Sequence, residues 1–334
     1  MKISRRYTIA AFVAAFGVTA IGAGTVNATE SVSLMTGPFG TGSYVLGNAL
    51  EQISKKHSTE IVVNSSETPG LVFNAKKVSQ NKELQKNTIM SFTTGVNFLA
   101  TQGSKPFKKK HETTKLIANY NLGSVWLATF DPEIRTSADL VGKTIALGRP
   151  PQILWTVEPE KIIEHGWGLK GKINVERLGT KQAAQALLDG NVDAAIIGGY
   201  ADPITGKFSP SPQTVELLGT GKSLYHIPWG IEAVGKVAAQ GMSIKPLTIP
   251  AGAMPGLDKP HEVFFDPISW VGYPSLSDDL AYKVTKLIIE NVGGFTDYHA
   301  LGKLMSKQSL AYGWDAKDIH PGALRAYREA GLVK

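Results

Sequence analysis

Thr36–Leu50 reads TGPFGTGSYVLGNAL, four glycines and three hydroxyl side chains set between an apolar run and a helical pattern. The run before it, Ser31–Met35, predicts a strand. After it, Leu46, Ala49, Leu50 and Ile53 fall at the i, i+3, i+4, i+7 spacing of one buried helix face. A glycine-rich turn that opens a helix is an anion seat, because free N–H groups and the helix dipole converge there. Gly37, Gly40, Gly42 and Gly47 do not make Gly-x-Gly-x-x-Gly, and no lysine follows to meet a phosphate. What remains suits a carboxylate, held by the helix start with the Thr41 and Ser43 hydroxyls. The competing reading is turn and cap chemistry alone.

The strand–loop–helix pattern recurs. Glu60–Asn64 predicts a second strand, Ser65–Thr68 its loop, and Pro69 the first residue of a helix with Leu71, Ala75 and Val78 inward. Thr88–Phe92 predicts a third strand, Thr93–Gly95 a loop, and Val96–Ala100 a short helix. Such succession predicts a parallel, doubly wound sheet, which binds ligands beyond the carboxyl ends of its strands. All three loops carry hydroxyls at that edge. Beyond the lysine-rich loop 105–115, the runs Lys115–Asn119 and Ser124–Phe130 predict extended segments. Lys143–Leu147, a helix capped by Thr180 and ending at Gly190, and Val192–Ile197 then form a second α/β unit. Lys245–Pro274 holds six prolines and predicts an irregular return crossing. Ser277 opens a long helix, and a last one runs from near Pro321 to Gly331.

Residues 1–28 have the form of a signal peptide: Lys2, Arg5 and Arg6, then an uncharged run ending in Val26-Asn27-Ala28. Arg5-Arg6 leaves twin-arginine export open beside the general route. Loss of this leader takes the formal charge from +7 to +4, too little and too dispersed for a nucleic-acid partner. Zero cysteines exclude disulfides, thiolate metal sites and a thiol nucleophile. No later segment has the length to span a membrane. Neither a nucleophile elbow nor a zinc helix nor a phosphate loop is complete, and the seven histidines are scattered. The expectation is a monomeric, exported binding protein without cofactor or metal. An exported enzyme on the same scaffold is the reading from another class.

Several marks together resemble the TAXI (TRAP-associated extracytoplasmic immunogenic) solute-binding proteins, over essentially the whole chain after the leader. They are Gly40-Thr-Gly-Ser-Tyr44, Ala138-Asp-Leu-Val-Gly-Lys143 with Ile145-Ala-Leu-Gly148, and Leu188-Asp-Gly-Asn-Val-Asp-Ala194. Ile249-Pro-Ala-Gly252, Pro255-Gly256 and His320-Pro-Gly-Ala-Leu-Arg-Ala-Tyr-Arg-Glu329 follow. The resemblance implies an α/β, type II periplasmic-binding fold: two lobes with doubly wound, mostly parallel sheets joined by a hinge. The lobes expected are 29–122 with 262–334, and 123–261. It also implies a small organic acid or amino-acid-like ligand and delivery to TRAP membrane permease subunits; a same-fold receptor for an ABC transporter or sensor kinase stays open.

The expected ligand contacts in the first lobe are Thr41, Gly42, Ser43 and Tyr44, then Glu67 and Thr68, then Thr94. In the second lobe they are Arg149, Gln152 and Trp155. Here the chain departs from the family, which has Thr-Gly-Gly-Ser near Glu67 and Gly-x-Pro-Gly-Ser-Gly-Thr near Gly148. Arg149 would clamp a carboxylate with two parallel bonds, and Trp155 and Tyr44 would wall the site, with Trp126 a further candidate. Glu67 would favour a ligand with a cationic or donating group; a hydrophobic tail is the other option. Alternatively Glu67 pairs with Arg149, or with Lys76 or Lys77.

Overall fold

The computed structural model describes residues 29–150, 152–242 and 244–334, so the expected leader lies outside the described residues. The opening stretch is strand, turn and helix: β1 (Glu30–Met35), then α1 (Gly42–His57), with Leu46, Ala49, Leu50 and Ile53 buried. A Cβ on Gly47 would stand 2.3 Å from Thr36 Cγ2, so α1 lies hard against the end of β1. β2 (Ile61–Ser66) and β3 (Thr88–Thr93) flank β1 in parallel. Between them run α2 (Leu71–Ser79) and the short α3 (Lys82–Gln85), and α4 (Thr94–Gln102) follows β3.

Two boundaries depart from the sequence pattern. Pro69 is not helical: Gly70, at φ 128° and ψ −177°, precedes α2 in a conformation open to glycine. No loop separates β3 from α4, because Thr93 ends the strand and its hydroxyl accepts from Val96 N–H (3.3 Å) as the helix cap.

The two extended runs after residue 115 are one strand, β4 (Lys115–Thr129), buried from Leu116 to its end. Then come β5 (Thr144–Leu147), a 3-10 turn at Ile153–Trp155, and α5 (Val157–Lys161) with Pro159 in its first turn. β6 (Asn174–Arg177), α6 (Thr180–Leu188) and β7 (Ala194–Ala201) complete a second winding. Thr180 is the first residue of α6 and Gly179 its cap position. β8 (Phe208–Pro210), α7 (Pro212–Leu218), β9 (Tyr225–Ile227) and α8 (Ile231–Ala239) follow. The proline-rich segment is largely regular after all, holding β10 (Lys245–Ile249) and the 12-residue β11 (His261–Gly272). α9 (Asp278–Asn291) and α10 (Pro321–Glu329) end the chain.

The strands order as β2-β1-β3-β11-β4-β7-β5-β6, with β8, β9 and β10 beside β7, β4 and β11. Pairing is parallel within β2-β1-β3 and within β7-β5-β6. It is antiparallel where β11 and β4 run between those blocks. Each block has its own core. Leu116–Tyr120 of β4 and Trp270 of β11 join α1, α9 and α10 in one. Val125–Ala128 of β4 and Val263–Phe264 of β11 join β5, β7, α6 and α8 in the other. The molecule is thus a two-lobed α/β protein threaded by two long strands. Between the cores those strands turn polar: Asn119, Asn121 and Ser124 on β4, Asp266 and Ser269 on β11, all buried.

Candidate functional site

The polar middle of β4 and β11 is where the first-lobe loops and the second lobe meet. Thr41 caps α1, its Oγ1 accepting from Tyr44 N–H (3.3 Å) and donating to the Pro38 carbonyl (2.7 Å). The Tyr44 ring packs on exposed Phe39, centroids 5.1 Å apart. Ser43 Oγ lies 2.7 Å from Tyr120 OH, in a hydrogen bond that either can donate. Burial pushes the Tyr120 phenol up, so it stays protonated.

Glu67 is exposed and accepts from Phe39 N–H (3.1 Å), which ties the second loop to the first. Buried Thr68 donates to the Thr36 carbonyl (2.8 Å). Asn74 of α2 donates to that same carbonyl (2.7 Å) and to Met35 (3.2 Å), holding the end of β1 in place. The Thr41–Tyr44 turn, Glu67 and Thr68 therefore form one assembly. Glu67 forms no ion pair with Arg149, Lys76 or Lys77 among the described residues.

Arg149, Gln152 and Trp155 form a second assembly, a tight turn at the end of β5. Gln152 Oε1 accepts from Arg149 N–H (2.9 Å), Thr156 Oγ1 donates to the Arg149 carbonyl (2.7 Å), and Gly148 N–H donates to the Trp155 carbonyl (2.8 Å). Gln152 thus spends its carbonyl on the backbone, while the Arg149 side chain is exposed. Trp155 is half-buried against the second-lobe core. From the same turn Ile153, 4% exposed, reaches the other way, into a first-lobe cluster with Met35, Phe92 and Val96.

Thr94 belongs to a third group. Its N–H donates to Asp266 Oδ1 (2.9 Å), its hydroxyl donates to the same oxygen, and Gly95 N–H donates to Oδ2 (3.3 Å). The first turn of α4 thus holds the protein's own carboxylate. Glu158 of α5, fully buried, lies against the same turn: a Cβ on Gly95 would stand 2.0 Å from its Oε1. Burial, and then the Asp266 charge, push the Glu158 carboxyl well above the usual range. Neither Glu158 oxygen has a hydrogen-bond partner among the described residues. Burial raises the Asp266 carboxyl as well, but the donors from Thr94 and Gly95 act against it, so of the two Glu158 is the one held protonated.

Three site residues escaped the sequence reading: Asn121, Tyr120 and Tyr200. The signal was present, since polar Asn119-Tyr-Asn121 and Gly123 interrupt an apolar run. That interruption reads as a break between two segments when only the sequence is seen. A cavity of about 520 Å³ is lined by Lys207, Phe208 and Ser209 from the second lobe and Ala300, Lys303 and Leu304 from the first. Ser209 is the strand partner of Tyr200. A larger trough, about 860 Å³, lies on the second lobe alone around Arg135, Tyr225, His226 and His261. Burial lowers these histidines to about 4 and about 3, so both are neutral there at pH 7. The trough is lined by one lobe only, whereas both lobes contribute at the crossing, which makes the crossing the candidate site.

A family model described as the NMT1-like family matches residues 34–331. Solved structures similar to this chain include a TctC solute binding protein from Polaromonas, 15% identical, covering 84% of this chain and 89% of that one at a TM-score of 0.49. Another is MatC from Rhodopseudomonas palustris with bound malate, 12% identical over 91% and 96% at 0.45. A third is the periplasmic aliphatic sulphonate binding protein SsuA from Escherichia coli, 13% identical over 90% and 83% at 0.44.

Proposed function

We propose, from the premise that this chain belongs to the NMT1-like family, that it is an extracytoplasmic solute receptor whose two lobes close on a small carboxylate. The observation that carries this reading is the crossing of β4 and β11. Two separate cores are joined there by a buried polar belt, and the start of α1 faces it from one lobe while Tyr200 faces it from the other. A ligand held there touches both lobes, so its contacts bias an open–closed equilibrium. Lys207 and Lys303 on the cavity lined by both lobes attract an anion electrostatically.

The residues shared with the TAXI proteins support a finer reading, in which a TRAP-class permease takes the ligand from the closed receptor. The first 28 residues direct export, and the working chain begins at Thr29. The lobes are 29–122 with 262–334, and 123–261. The protein transforms nothing: it carries.

Calorimetry and product analysis test the reading together. Purified protein titrated with small carboxylates should bind one at one-to-one stoichiometry and return it unchanged. Turnover of a bound carboxylate into a product would establish an enzyme instead. Reconstituted uptake that runs on an ion gradient without ATP supports the permease assignment; uptake that needs ATP overturns it.

A further inference from the structure

We infer that Asn121 is the side chain that reads the ligand. The seat it forms with the start of α1 and with Tyr200 takes a short carboxylate bearing a hydroxyl or amino group on the adjacent carbon. This rests on the receptor reading above and assigns its recognition chemistry.

Asn121 is 3% exposed, and neither its Nδ2 nor its Oδ1 has a hydrogen-bond partner among the described residues. A buried amide left so costs stability, which makes each such group one that requires an explanation. Its polar neighbours Asn119 and Ser124 on β4 and Ser269 on β11 are satisfied. Asn119 donates to the Ser309 and Tyr312 carbonyls and accepts from Ser269 and Trp314, and Ser124 donates to the Phe264 carbonyl. Among Asn119, Asn121, Ser124, Asp266 and Ser269, Asn121 alone has no side-chain partner among the described residues; Trp270 Nε1, further along β11, is an indole donor left unpaired between aromatic rings.

Its direction is fixed by a bulge. Ile268 of β11 stands opposite Asn121 and Ser269 opposite Asn119, so Tyr120 is the extra residue on β4. Instead of alternating, Tyr120 and Asn121 both reach the start of α1: Tyr120 OH to Ser43 Oγ, and Asn121 Nδ2 to 3.7 Å from where a Cβ on Gly42 would stand. Tyr200 OH lies 3.5 Å from that same point. The amide and the phenol thus stand in van der Waals range of the first residue of α1.

α1 has 16 residues, and its first donors are free. Tyr44 and Val45 N–H are taken by Thr41, whereas Gly42 and Ser43 N–H donate to no protein group among the described residues. Those N–H groups and Nδ2 all donate, as a carboxylate requires. Asn121 Oδ1 only accepts, so it needs a donor from the ligand. A hydroxyl or ammonium next to the carboxylate supplies one. A keto group supplies none, and a methylene leaves the amide unmatched.

Calorimetry with matched acids tests this: L-lactate, pyruvate and propionate; L-malate and succinate; L-glutamate and glutarate. The wild type should bind at least one hydroxy or amino acid about 100-fold or more tighter than its deoxy partner, since sites built around a hydrogen bond reject analogues that lack it. Asn121→Ala should bring that ratio below about 10. Asn121→Thr, which suits a strand, should do the same and guards against a folding defect in the first variant, with thermal melts run on both. Carboxylate binding without this preference, or a preference that survives both substitutions, overturns the seat and leaves the receptor reading standing. Binding of none of these acids overturns the carboxylate reading and the seat with it.

Discussion

Glu158 and Asp266 show how one proton is built into the fold. Burial raises the Glu158 carboxyl, so the folded protein holds a proton that the unfolded chain releases near pH 4.3. The sign follows: the folded state binds more protons, so this group's contribution to stability is present in acid and is lost as pH rises from about 4.3 toward the raised value. No other charged group acts on Glu158 among the described residues, and the charged neighbours on α5 are engaged elsewhere, Glu160 with Arg177 and Lys161 with Glu164. Glu158→Gln keeps the side chain's shape and has nothing to ionise. Denaturant melts should therefore show a flatter stability profile above pH 5 for the variant, and the greater stability at pH 8. Parallel profiles for the two proteins would contradict the assignment. None of this is legible in the sequence, where Glu158 and Asp266 lie far apart and no local pattern marks either as buried.

Among the elements, helices were more legible than strands because their signals are local. Ser277 caps α9, its hydroxyl accepting from Leu280 N–H (3.3 Å), and the face of Leu280, Val284, Leu287 and Ile288 is buried as its spacing predicts. Ser277→Ala should cost about 1 kcal/mol in chemical unfolding, and Ser277→Asp should recover most of it, because an aspartate caps equally well. The long strands were misread for an identifiable reason. β4 carries polar residues where it passes between two cores, and β11 carries Pro267, which reads as a break. Proline is tolerated there because the ladder is irregular beside it, with a register shift between Ile268 and Ser269. No periodicity rule anticipates a strand that serves two cores in turn.

As a whole, the molecule is two cores that share two strands, and its closure is the property to measure. Ligand at 100 times its dissociation constant should raise stability by about 2.7 kcal/mol, visible as an upward shift in thermal unfolding. Ile153 is the wedge between the lobes: it leaves the second-lobe turn and packs in first-lobe apolar surface. Ile153→Ala should destabilise the protein by about 2–5 kcal/mol. It should also enlarge the ligand-free radius of gyration in small-angle scattering. A radius and unfolding midpoint equal to the wild type would show that the lobes do not rest on this contact.

The sequence was enough to establish the α/β class and the succession of strands and helices that build it, and it raised the expectation of a seat at the start of α1. These rest on periodicity, capping and glycine placement, which act within a few residues. Tertiary structure alone decided what occupies each loop. It gave the start of α4 to Asp266, the Glu67 carboxylate to the Phe39 N–H, and the Gln152 carbonyl to its own turn. It left Asn121 without a partner among the described residues, beside Gly42. Apart from the Gln152 turn, which is local, those outcomes depend on which polar groups distant segments bring within about 3 Å of one another. A buried hydrogen bond is decided by that distance, and spacing along the chain does not encode it.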